Sequence, residues 1–144
     1  IAFGEALRPD FITYAKSIVS NAKEMAEQLK SKGFELVSGG TDTHVILIDL
    51  TKKNISGKIA EIALGKAGIT VNKNMVPFDE RSPFVTSGIR VGTPAITTRG
   101  MGIEEMKLIT HLIDKTINNV ENDKILSDIR EEVNNLCSVF PIYK

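Results

Sequence analysis

The sequence predicts an α+β domain, a small antiparallel or mixed sheet with helices packed on it. Three observations carry that expectation. Apolar residues recur at helical spacing in some stretches and as short alternating or unbroken runs in others. The order they spell out is helix, two strands, helix, two strands, two helices. The 144 residues, 42% hydrophobic and 25% charged, have an ordinary globular composition in a length that suits one core, so a single domain is expected.

The chain opens Ile1-Ala2-Phe3-Gly4-Glu5 with no initiator Met, in what reads as the tail of a helix, so a piece of a longer protein is expected. Over 10–32, Phe11, Tyr14, Ala15, Ile18, Ala22, Met25 and Leu29 stripe one helix face. Pro9 suits the start, where a missing donor costs nothing, Asp10 complements the helix dipole, and Gly33 suits a left-handed stop. Strands are expected at 34–37 and 44–50, with Ser38-Gly39-Gly40-Thr41-Asp42 turning between them. The unbroken Val45-Ile46-Leu47-Ile48 run implies burial on both faces of the second strand. Ser56 can cap a helix over 57–66 whose Ile59, Ile62 and Ala63 point one way, with Gly68 after its end. Ile69 to Val71 reads as the beginning of a third strand. Residues 72–87 are polar, hold Pro77 and Pro83 and show no period, the pattern of a functional loop. Extended pattern resumes at 88–91, Pro94 and Gly100 bracket a turn, and a helix follows over 103–120. A last helix over 123–139 carries Ile125, Ile129, Val133, Leu136 and Phe140 on one stripe, and Pro141 stops it.

Composition excludes several functions. Eighteen basic residues balance eighteen acidic ones, leaving no field to gather phosphates, so nucleic acid is not an expected partner. Cys137 is the only cysteine, which rules out an intrachain disulfide and fits a reducing compartment. No apolar run long enough to span a bilayer and no cationic leader is visible, so no membrane is expected and the cytoplasm is the expected location. Asn54-Ile55-Ser56 matches a glycosylation sequon but is better explained by Ser56 as a cap. Ser38-Gly39-Gly40-Thr41 lacks the Gly-Lys-Ser/Thr and following helix of a phosphate loop and reads as a tight turn. His44 and His111 have no ligand spacing around them, so no metal site is nominated. His44 beside Asp42 could form a hydrogen-bonded structural pair, His111 reads as a surface residue, and Cys137 as a small hydrophobe.

The stretch from Val71 to Arg99 is different, because Asn72, Asn74, Ser82, Thr86, Ser87, Arg90, Thr93, Thr97, Thr98 and Arg99 crowd directional groups around glycines and prolines. Strand alternation sends Arg90 to the opposite face from Ile89 and Val91, and Gly88 and Gly92 could clear space beside it. A planar fork of donors in such a place suits bidentate capture of a carboxylate or phosphate. The competing reading is an ion pair with Asp79 or Glu80.

Three runs in this region are long and specific: Val37-Ser38-Gly39-Gly40-Thr41-Asp42-Thr43-His44, Gly68-Ile69-Thr70-Val71-Asn72-Lys73-Asn74, and Ser82-Pro83-Phe84-Val85-Thr86-Ser87-Gly88-Ile89-Arg90-Val91-Gly92-Thr93-Pro94-Ala95. Together they closely resemble the C-terminal portion of serine hydroxymethyltransferase. The likeness extends over the whole chain, since Ala2 to Phe11 look like the helix entering that enzyme's C-terminal domain and Phe140-Pro141-Ile142-Tyr143 like its end. The resemblance implies that residues 1–144 are the small domain of a pyridoxal 5'-phosphate enzyme of the aspartate-aminotransferase fold type. Such enzymes interconvert serine plus tetrahydrofolate with glycine plus 5,10-methylenetetrahydrofolate, as homodimers or homotetramers.

By that resemblance Arg90 grips the amino-acid carboxylate and Asn74 hydrogen-bonds the folate pterin. Ser82 and Phe84 line the same folate site, and Arg99 matches a second, supportive arginine. The family's Schiff-base lysine sits in a Thr-His-Lys motif of the large domain, and that motif does not occur here. Thr43-His44 is followed by Val45, and Lys73 stands between asparagines, so neither is nominated; no catalytic residue is expected in this segment, which alone should be inactive. The alternative is a non-catalytic α+β module that binds a small anion through Arg90 or acts as a regulatory domain.

Overall fold

The amphipathic stretch that follows Pro9 folds as its spacing predicts. In the computed structural model, which describes residues 1–142, it forms helix α2 (Pro9–Ser31) after a short α1 (Ala2–Ala6). Tyr143, part of the expected family ending, lies outside the described residues. Four more helices follow: α3 (Gly57–Lys66), α4 (Pro94–Thr98), α5 (Ile103–Ile117) and α6 (Asp123–Val139). The strands are β1 (Glu35–Leu36), β2 (Val45–Asp49), β3 (Asn72–Asn74) and β4 (Gly88–Gly92), in the spatial order β1-β2-β4-β3 with every pairing antiparallel. The expected α+β class holds, in its antiparallel form.

One face of the sheet makes the core. Ile46 and Ile48 stand opposite Val91 and Ile89 and pack with Met25 and Leu29 of α2, Ala60 and Leu64 of α3, and Met106 and Ile113 of α5. A smaller cluster of Ala63, Ala67, Leu112, Leu126 and Ile129 joins α3, α5 and α6. Each large side chain so buried contributes about 1.5–3 kcal/mol before entropy is subtracted. The other face carries Val45, Leu47, Arg90 and Asn72. Burial of β2 on both faces is therefore not what forms: Ile46 and Ile48 are buried while Val45 and Leu47 are only half-buried, because the helices cover one side.

Four further expectations are corrected by identifiable chemistry. The third strand begins at Asn72 instead of Ile69, since Ile69 completes the end of α3. With Gly68 at φ +81°, the Ile69 amide donates to the Leu64 carbonyl at 2.8 Å and the Gly68 amide to the Gly65 carbonyl at 3.1 Å. The same double bond pattern at Gly33 and Phe34 ends α2 and delays β1 to Glu35. In α3 the buried residues are Gly57, Ala60, Ala63 and Leu64, whereas Ile59 and Ile62 are 46% and 52% exposed. Small residues face inward because the helix lies against the sheet: a Cβ on Gly57 would overlap Thr86 Oγ1 and the Gly88 carbonyl. The segment from Pro94 to Gly100, read as a turn, contains α4.

That short helix fixes the exit of β4. Thr93 Oγ1 donates to the Ile18 carbonyl at 2.8 Å, and buried Asn21 donates to Thr97 Oγ1 at 2.9 Å and to the Met101 carbonyl at 3.0 Å. The Tyr14 and Thr98 hydroxyls share a hydrogen bond of 2.7 Å. Strand β4, which carries Arg90, is thus tied through α4 to the longest helix.

Candidate functional site

Arg90 occupies the middle of β4, opposite Leu47 on one side and Asn72 on the other. Alternation turns it away from the core, as expected, and its side chain is exposed on the uncovered face. Among the described residues no hydrogen bond or ion pair holds its guanidinium. Asp79 and Glu80 do not pair with it: Asp79 is bound within its own loop, and Glu80 makes no ion pair among the described residues. A cleft of about 200 Å³ opens beside Arg90, with Asn72, Thr70 and Val45 on its walls. Of the flanking glycines, Gly92 lines this cleft and Gly88 does not; both also lie close to backbone of the neighbouring strand. A Cβ on Gly88 would come within 2.7 Å of the Ile48 carbonyl and Val76, and one on Gly92 within 3.2 Å of the His44 carbonyl.

Asn74 shares the Arg90 face, one diagonal step along β3, a separation of about 7–8 Å in antiparallel sheets. Its Nδ2 donates to the Met75 carbonyl at 2.7 Å. Ser82 and Phe84 lie on the connection from β3 to β4, both exposed, Phe84 by 82%. The connection is firmly built. Gly57 and Lys58, at the start of α3, donate their amides to the Thr86 and Val85 carbonyls at 3.0 Å each, and Arg81 Nη1 donates to Ile55 at 2.7 Å. Ser56 caps α3 as expected, accepting from the Ile59 amide at 3.2 Å. Glu61 of α3 accepts the Lys73 amide at 2.9 Å, so the helix holds β3 as well.

Inside the connection, Asp79 accepts from the amides of Val76, Arg81 and Ser87 and from the Ser87 hydroxyl, the last at 2.6 Å. Burial alone would raise its pKa, but those four donors, the Ser87 hydroxyl foremost, outweigh it and hold the carboxyl lowered to about 2. Sequence reasoning considered Asp79 only as a partner for Arg90. An Asp two residues before Arg81 has the spacing of an Asx turn, which accounts for the Arg81 amide alone and gives no sign of the donors from Val76 and Ser87.

Arg99 is not gathered with these residues. It ends α4 and sends Nη2 to the Cys137 carbonyl of α6 at 2.8 Å, while its buried Nε has no partner among the described residues. Arg99 and Cys137 border an apolar cavity of about 290 Å³ between the sheet and α5 and α6. The His44 and Asp42 pair does not form: His44 is exposed, and Asp42 lies 3.7 Å from Lys23. His111 is exposed on α5, as read. A more voluminous cleft, about 760 Å³, lies beyond Val45 against the 38–43 loop and contains none of the nominated residues.

A family model for serine hydroxymethyltransferase matches residues 1–113, a stretch that includes the whole sheet, Asn74, the 75–87 connection and Arg90. The chain belongs to the serine hydroxymethyltransferase family. Over all 144 residues it is 51% identical to the serine hydroxymethyltransferases of Coxiella burnetii strains Dugway 5J108-111, RSA 331 / Henzerling II and CbuK_Q154, covering 100% of this chain and 34% of each relative. It therefore spans about a third of the length of these curated relatives. The helices and four-stranded antiparallel sheet agree with a domain of the aspartate-aminotransferase fold type in a serine hydroxymethyltransferase.

Proposed function

We propose that residues 1–144 are the C-terminal small domain of a pyridoxal-phosphate-dependent serine hydroxymethyltransferase. The complete enzyme interconverts serine plus tetrahydrofolate with glycine plus 5,10-methylenetetrahydrofolate and works as a homodimer or homotetramer. The observation that carries this reading, beside the family, is an arginine in mid-strand on the uncovered sheet face, with asparagines on the neighbouring strand and no acid among the described residues claiming it.

Arg90 is the substrate clamp. Two parallel N–H···O bonds to a carboxylate fix rotation of the amino acid about its α-carbon, which decides which bond at that carbon is aligned to break. Asn74 offers an amide to the edge of the pterin, Phe84 a ring face to stack on it, and Ser82 a hydroxyl at the same end. Arg99 supports from behind, binding the end of α6 to the helix that follows β4.

Pyridoxal phosphate, when bound, supplies the electron sink for cleavage at the α-carbon, but the residues present here do not fit its anchor. Lys73, on the strand beside Arg90, brings its ammonium within 3.7 Å of Glu61, on the α3 side, and no Thr-His-Lys sequence occurs. The lysine comes from the remainder of the enzyme, and this segment alone is inactive.

The test is substitution in the complete enzyme. Arg90→Ala and Arg90→Lys are both expected to lower serine turnover by at least about a hundredfold, because an ammonium cannot replace the fork. Near-normal turnover in Arg90→Lys, measured by steady-state kinetics, would refute the clamp.

A further inference from the structure

We infer that Asp79 is the positioning residue of the folate site, holding the segment that carries Ser82 and Phe84 in its receptive geometry. This rests on the folate reading proposed above. The segment between β3 and β4 has no strand or helix of its own, yet its two ends are drawn together on one carboxylate. Asp79 Oδ2 takes the Val76 amide at 3.3 Å and the Ser87 amide at 2.8 Å, while Oδ1 takes the Arg81 amide at 3.0 Å and the Ser87 hydroxyl at 2.6 Å. Between these anchors, the Ser82 carbonyl accepts the amides of Val85 and Thr86, both at 2.9 Å, closing a turn that displays Pro83 and Phe84 outward.

Two features show that the conformation is imposed. Phe78 and Thr86 adopt left-handed backbone angles, φ +59° and +58°, unfavourable for an aromatic and a β-branched residue and kept only where surrounding bonds over-determine them. Phe84 is 82% exposed although it sits on a pinned turn. An aromatic ring held out in water by a rigid hydrogen-bonded frame is suited to stacking on a planar ring at little ordering cost. A carboxylate suits the centre of this frame because it only accepts and has about four lone-pair sites; an asparagine there would bring two donors against an array of donors.

The test compares Asp79→Asn, Ser87→Ala and Phe84→Ala in the complete enzyme, using calorimetric titration with tetrahydrofolate and with glycine and amide hydrogen exchange over 76–87. Asp79→Asn is expected to weaken tetrahydrofolate by about tenfold or more, to leave glycine affinity within about twofold, and to speed exchange across 80–87. Ser87→Ala, which removes only the shortest bond, should shift all three in the same direction by less, and decides the matter if Asp79→Asn does not fold. Faster exchange with unchanged folate affinity would overturn the inference, as would equal losses of folate and glycine. Phe84→Ala separates the two layers. If it weakens folate while Asp79→Asn does not, the positioning role fails and the folate reading stands; if it leaves folate untouched, that reading falls and the inference with it.

Discussion

Arg90 and Asp79 are both charged residues of one strand-loop-strand unit, and their partners set them apart. Arg90 has none among the described residues and stands on the open sheet face; Asp79 has four and lies inside its loop. Alternation about Ile89 and Val91 was enough to read the direction of Arg90 from sequence. The place of Asp79 was not legible, because its donors at Val76 and Ser87 meet only once the loop closes. Asn74 gives the prediction proper to this scale. Its amide stands on the Arg90 face but a diagonal step away, so it is placed for a ligand other than the amino acid. Asn74→Ala in the complete enzyme should weaken tetrahydrofolate by roughly five- to tenfold, the loss of one good hydrogen bond, with glycine affinity unchanged. Parallel titrations of the two ligands check it, and equal losses would count against the assignment.

Helices α2 and α6 were legible almost to the residue, because long apolar stripes at helical spacing survive any tertiary arrangement. Shorter elements were misplaced where a side chain has two uses. Ile69 and Phe34 read as strand residues, yet their amides cap the preceding helices, and Ile59, Ile62 and Ala63 read as one face of α3, of which only Ala63 lies inside, with Gly57, Ala60 and Leu64. This last reversal makes a paired prediction within one helix. Replacing glycine by alanine in a helix ordinarily stabilises by about 0.5–1 kcal/mol, which is the expectation for Gly65→Ala, where an added Cβ meets nothing within 4 Å. At Gly57 the same Cβ collides with Thr86 Oγ1 and the Gly88 carbonyl, and overpacking of about 1–3 kcal/mol outweighs the gain. Urea unfolding should therefore show opposite shifts for the two variants. A stabilising Gly57→Ala would mean that α3 does not approach β4 this closely.

At the scale of the whole molecule, the sheet has one face sealed by helices and one face open, and the proposed clamp sits on the open one. An exposed ion pair contributes about 0–1 kcal/mol, whereas a millimolar dissociation constant needs about 4 kcal/mol. Charges about 4 Å apart attract by about 1 kcal/mol in water and about 4 kcal/mol at an effective dielectric constant near 20. Arg90 therefore becomes a strong carboxylate site only when something covers this face and excludes water, and in the proposed reading that cover is the remainder of the enzyme, which also brings the cofactor. The isolated 1–144 chain is accordingly expected to show no saturable glycine binding up to about 10 mM, while the complete enzyme binds glycine in an Arg90-dependent way. NMR titration of both proteins checks this. Millimolar or tighter binding by the isolated chain, lost in Arg90→Lys, would instead favour a self-sufficient anion-binding module, since the domain would then be supplying the low-dielectric surroundings by itself.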